Sequence, residues 1–147
     1  MKPQQPTTRN RPGKPQKRVV SALLCKDDFF LILERSCQVG SYQGYWSCIS
    51  GFIEEGEDPL KTALREVKEE TGIKRDSLSL LSQDGPNLAE TENLIFESYW
   101  FLFDSTESRV EIDWEHNQFA WVKRDELPKY KMVPWFDELI GRLTRSC

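Results

Sequence analysis

The stretch from Gly51 to Ile73, GFIEEGEDPLKTALREVKEETGI, constrains this chain more than any other because it joins firm helix punctuation to clustered acid. Asp58 stands where an N-cap is needed, Pro59 has its φ pre-set for a first helical position, and Gly72 can adopt the left-handed conformation that closes a helix. These marks predict one helix of about thirteen residues. At about 100° per residue, Leu60, Ala63, Leu64 and Val67 fall on an arc suited to packing against a sheet, and Lys61 and Lys68 on a solvated one. Glu66, Glu69 and Glu70 share a third arc.

Glu66 and Glu70 form a like-charge pair one helical turn apart, which costs an isolated helix roughly 0.2–0.5 kcal/mol, so helix formation does not explain them. A hard divalent cation does, because Mg2+ and Mn2+ favour carboxylate oxygen and leave coordination positions for phosphates. Three glutamates taken alone leave a solvated acidic face open as the alternative.

The wider pattern is more specific. Gly51, Glu57, Arg65, Glu66, Val67, Glu69, Glu70, Gly72 and Ile73 stand at the spacing of the Nudix hydrolase signature box, and the chain resembles that family at every fixed position of it. The resemblance implies an α/β fold, an α/β/α sandwich with a mixed sheet, and a pyrophosphohydrolase using Mg2+ or Mn2+ on a nucleoside diphosphate linked to a further group X. By the same resemblance Glu66, Glu69 and Glu70 are metal ligands, the Gly51 carbonyl is a further one, and Arg65 orients the glutamates. Arg65 and Glu69 lie at i, i+4, which suits that role.

Residues 1–18 form a separate compositional zone, MKPQQPTTRNRPGKPQKR, expected to be a disordered basic, proline-rich tail preceding a Nudix hydrolase domain over 19–147. The zone lacks the apolar core of a secretory signal, and its prolines argue against an amphipathic transit helix. It holds six of the 20 basic residues and none of the 24 acidic ones, so the remainder carries about −10 instead of −4. Such a body repels nucleic-acid backbones and anionic membranes, and no apolar run approaches the ~20 residues of a membrane span. Cys25, Cys37, Cys48 and Cys147 include no close pair and only one histidine accompanies them, which disfavours zinc and suits reduced thiols in a cytoplasm. The expected partner is therefore a small-molecule nucleotide substrate, with no nucleic acid and no membrane; a homodimer is left open.

Along the chain, Val19–Cys25 and Phe29–Glu34 read as a hairpin. Residues 36–45 read as a turn-rich loop bordering the site, and Trp46–Ser50 as a run into the box. Ser77–Ser82 reads as a strand, Gln83–Asn93 as an acidic loop and Leu94–Phe103 as an aromatic-rich strand. Val110 and Ile112 open a short segment, Phe119–Lys123 is another strand, and Trp135–Leu143 an amphipathic helix. The resemblance places a basic residue near the substrate at Arg35, and alternation sets Trp100 opposite Tyr99 and Phe101, where it could stack on a base.

The segment WEHNQFAWV, residues 114–122, is similar to a stretch of the Nudix enzymes acting on dihydroneopterin triphosphate or deoxynucleoside triphosphates. His116 at a loop-to-strand junction reads as a hydrogen-bonded surface residue. Glu115 is the stronger functional candidate, because a carboxylate from a separate loop can complete a metal shell or take a proton from water. The general base is then Glu66 or Glu115. The expected substrate is a (deoxy)nucleoside or pterin triphosphate cleaved to release pyrophosphate, with dinucleoside polyphosphates or ADP-ribose as alternatives. A non-catalytic nucleotide-sensing module would be expected to have lost an acid of the box or Arg65, and neither is lost.

Overall fold

The computed structural model describes residues 14–145. Strands β1 (Gln16–Lys26) and β2 (Phe29–Arg35) form an antiparallel hairpin whose turn holds Asp27 at φ 55°. Aspartate tolerates that conformation because its short side chain can bond local backbone. The two strands pair only near the turn, through Cys25↔Phe30 and Lys26↔Phe29. Beyond it they splay. β4 (Ile49–Phe52) takes the place beside β1, and β3 (Trp46–Ser47) the place beside β2. On its other side β1 runs parallel to β6 (Ile95–Ser105), which pairs with the edge strand β5 (Leu78–Glu90), while β2 pairs antiparallel with β7 (His116–Lys123).

Both faces of this mixed sheet are apolar. Val20, Ala22 and Leu24 of β1, Leu31 and Leu33 of β2, and Phe101 and Phe103 of β6 pack on one side. Leu23, Ile32, Trp100 and Leu102 alternate to the other. Two apolar faces need two covers. Helix α1 (Pro59–Thr71) covers the first with Ala63 and Val67, and α2 (Phe136–Leu143) the second with Phe136, Leu139, Ile140 and Leu143. The result is the α/β/α sandwich with a mixed sheet that the resemblance implies.

Helix α1 has the bounds its punctuation predicts. The Asp58 carboxylate accepts from the Lys61 N–H at 3.2 Å. Gly72, at φ 78°, donates its N–H to the Lys68 carbonyl at 2.9 Å. Fully burying a side chain of the size of Val67 stabilises by roughly 1.5–3 kcal/mol.

Other expectations need correction. β1 begins at Gln16, inside the expected tail, because Gln16, Lys17 and Arg18 pair with Ile95, Phe96 and Glu97; residues 1–13 and Cys147 lie outside the described residues. Residues 83–90 are not a loop. β5 continues through them to Glu90, absorbing its turn-forming residues in register shifts between Leu80 and Ser82 and between Asp84 and Asn87. Val110 and Ile112 form no strand, yet both pack against the α1-side core.

Candidate active site

The splayed ends of β1 and β2 are where the chemistry-bearing residues gather. β4 brings Gly51 opposite Val20 of β1 and leads through a turn into α1. A Cβ at Gly51 would lie 2.3 Å from Glu66 Cδ and 2.5 Å from Glu66 Oε2. The position therefore takes a side chain only if the Glu66 carboxyl group, which lies against the strand, moves away.

Glu66 and Glu70 are buried, at 9% and 1% exposure, alongside Ala63 and Val67. Glu69 is exposed, so the single acidic arc read from the sequence divides: two glutamates face inward and the third stands at the rim. Arg65 ties the rim together. Its Nε and Nη2 donate to the two oxygens of Glu57 at 2.9 and 3.0 Å, and Nη1 donates to Glu66 Oε2 at 2.9 Å and Glu69 Oε2 at 3.3 Å. Such a two-point fork fixes orientation as well as charge. Arg65 hydrogen bonds hold the Glu57 carboxyl down at about 2, and Glu57 in turn raises Arg65.

A second wall comes from residues 113–116. Arg35, at the end of β2, pairs with His116, while the Glu115 carbonyl accepts from the Ser36 N–H at 2.8 Å and the Trp114 carbonyl from Ser36 Oγ at 2.9 Å. The Glu111 N–H donates to the Thr71 carbonyl at 2.8 Å, holding the approach to this segment against the end of α1. Asp113 Oδ1 then accepts from the Glu115 N–H at 3.2 Å and lies 3.0 Å from His116 Nδ1. His116 is no surface residue as expected. It is buried, with Nε2 3.7 Å from Glu70 Oε1.

Glu70 is the electrostatic centre of the arrangement. Burial foremost pushes its pKa well above the usual carboxylate range, helped by the hydrogen bond to Glu66 and by the charges of Glu115 and Asp113. Its Oε2 is buried with no hydrogen-bond partner. Glu115 is also raised, by burial first and then by Asp113 and Glu66, with Arg35 opposing. Burial pushes His116 down despite its bond to Asp113. The nearby Cys48 thiol is pushed up to about 12 by burial and the Glu70 charge, so it is not a thiolate.

Among the described residues, no three His, Cys, Asp or Glu side chains stand at finished metal-holding geometry. The chemistry nevertheless fits a hard divalent cation: the donors are carboxylate oxygens, and a buried, unpartnered oxygen such as Glu70 Oε2 requires a compensating partner. Glu66, Glu69, Glu70 and the Gly51 carbonyl are the residues that could hold one.

Arg35 sits beside this wall, its Nε donating to the Ser41 carbonyl at 2.9 Å. Trp100 does not. The alternation is as read, but Trp100 turns to the α2 side, 7% exposed, with the Arg142 guanidinium 5.5 Å from its ring. It is core, and no face of it is open to a base. Sequence reasoning missed Asp113, whose value lies in what it holds and which no spacing signals. It also passed over Trp114, 60% exposed next to Glu115.

Comparison with known proteins agrees with this geometry. An octanoyltransferase of Myxococcus xanthus is 31% identical over 81 residues, but the match spans 54% of this chain and only 23% of that protein. Nucleoside triphosphatase NudI of Escherichia fergusonii is 26% identical over 125 residues, spanning 80% of this chain and 89% of that protein. The crystal structure of the MutT protein from Methanosarcina mazei Go1 superposes with a TM-score of 0.72 at 26% identity, covering 90% of this chain and 95% of that one. The family model described as NUDIX domain matches residues 15–143, nearly the whole described chain. With the box residues assembled on α1 and β4 and the sandwich around them, the chain belongs to the NUDIX domain family and is a Nudix hydrolase.

Proposed function

We propose that this chain hydrolyses a phosphoanhydride bond of a (deoxy)nucleoside or pterin triphosphate, releasing pyrophosphate, with Mg2+ or Mn2+ as cofactor. The observation that carries the reading is Glu70: a carboxylate 1% exposed, with one oxygen unpartnered, among the signature glutamates of a hydrolase family. A relative named as a nucleoside triphosphatase, matched over 80% of this chain, supports a triphosphate substrate.

Bound at Glu66, Glu69, Glu70 and the Gly51 carbonyl, the cation would polarise phosphate oxygens and make water a stronger nucleophile. The chain's own residues supply the rest. Arg65 keeps Glu57, Glu66 and Glu69 in fixed relation through its fork. Glu115, its pKa raised by burial first and then by Asp113 and Glu66, and carried by a different segment from the ligands, would accept the proton of attacking water. Arg35 offers a positive charge on the same side for a phosphate.

The test is a Mg2+-dependent assay over deoxynucleoside and nucleoside triphosphates, dihydroneopterin triphosphate, dinucleoside polyphosphates and ADP-ribose, with products identified. Monophosphate and pyrophosphate from a triphosphate is the expected result. Preference for a dinucleoside polyphosphate or ADP-ribose would overturn the substrate assignment, and no hydrolysis of any of them would overturn the reaction.

A further inference from the structure

The Asp113–His116 pair lies directly behind Glu70, and the mechanism above makes no use of it. The His116 side chain is 5% exposed and Asp113 20% exposed, with Nδ1 to Oδ1 at 3.0 Å. The contact between Nδ1 and the Asp113 carboxyl group sets the ring plane. Asp113 is itself held in a tight turn: the His116 N–H donates to its carbonyl at 3.2 Å, and the Glu115 N–H to its carboxylate at 3.2 Å. The opposite ring edge faces Glu70, with Nε2 3.7 Å from Oε1. That separation exceeds a hydrogen bond, so the ring borders the carboxylate without consuming either oxygen. Packing alone does not account for the arrangement, since an apolar side chain would fill the space without the desolvation cost of a buried imidazole and its acidic partner.

We propose that His116, held by Asp113, is a positioning residue that fixes the rotation of the Glu70 carboxyl group so that it presents its oxygens to a divalent cation. The proposal rests on the cation-dependent reading of the site. Groups standing behind a metal ligand typically contribute 10- to 100-fold in metal affinity.

Mn2+ affinity, measured by electron paramagnetic resonance of the free ion on the full chain without substrate, tests it. The variants are His116→Phe, which keeps the ring bulk; His116→Gln, which keeps a polar atom near the Nε2 position; and Asp113→Ala, which removes the Oδ1 partner of His116 at a partly exposed site. Each is measured well below its own melting temperature with circular dichroism unchanged. The expected result is Mn2+ binding weakened 10- to 100-fold in His116→Phe and Asp113→Ala, with partial recovery in His116→Gln. A residue needed only for packing would lower the melting temperature and leave that affinity alone. Affinity within twofold of the parent in a folded His116→Phe protein overturns the proposal; should that variant not fold, the same result for Asp113→Ala overturns it. If the parent chain itself binds no Mn2+, the cation-dependent reading fails and takes the proposal with it, whereas binding unaffected by the variants removes the proposal alone.

Discussion

Replacing Glu70 by glutamine should make the cation-depleted protein more stable, and increasingly so as pH rises. Glu70 is 1% exposed, and its pKa is raised above its ordinary value of 4.5, chiefly by burial. In the unfolded chain the carboxyl group ionises normally, so between pH 4.5 and its raised folded value the unfolded state binds fewer protons than the folded one. Stability from this group is then full below the ordinary value and falls as pH rises. The loss is on the order of a few kcal/mol by pH 7. Glutamine ionises in neither state and escapes the loss, but its buried amide must find partners of its own, so the net gain at pH 7 should be about 1–3 kcal/mol. Urea unfolding in EDTA at several values between pH 4.5 and 7 measures it for both proteins, with equal slopes confirming that only stability changed. A gap that stays flat, or closes with rising pH, would show that Glu70 is not a strained carboxyl group. Saturating Mg2+ should reverse the order, since only the parent chain offers the full ligand set, and turnover of Glu70→Gln should fall by orders of magnitude.

Gly51→Ala should push Glu66 away from the strand, costing about 1–3 kcal/mol through overpacking and lowering kcat/KM at least about tenfold; wild-type kinetics would contradict the contact between the two residues. Glu115→Gln should cut kcat by about 10²- to 10⁴-fold at saturating Mg2+ while Mn2+ affinity holds, and a loss smaller than about tenfold would remove Glu115 as the base. Trp100→Leu should lower stability by about 2 kcal/mol and leave KM within twofold, whereas a large rise in KM would restore the aromatic ring to substrate binding.

The helix of the box was legible to the residue because Asp58, Pro59 and Gly72 act locally, through their own φ and side-chain bonds. Strand β5 was not, because Asp84, Gly85, Pro86 and Asn87 are turn formers by local preference and only the partner strand reveals that they sit in a bulge. Trp100 failed for a related reason. Alternation separates two faces but does not say which is which when α1 covers one and α2 the other, so the side that meets the site stays hidden. The metal-binding candidates were legible as a motif, yet the division of Glu69 from Glu66 and Glu70 depends on how α1 is rolled against the sheet. Asp113 carried no signal, and His116 read as a surface residue because its burial arises from the pairing of β7 with β2.

That pairing also ranks the steps by which the protein matures. Gly51, Arg65, Glu66 and Glu70 lie close in sequence and can meet early, once β4 and α1 settle on β1. Glu115 and His116 arrive only when β7 closes against β2, across about eighty residues of intervening chain, and long-range pairings of that kind form late. A nascent or truncated chain ending before His116 would hold every residue of the signature box and still lack one wall of the site. Competence would then wait on residues made after the box, and a genetic lesion downstream of it could abolish activity without touching a single signature residue.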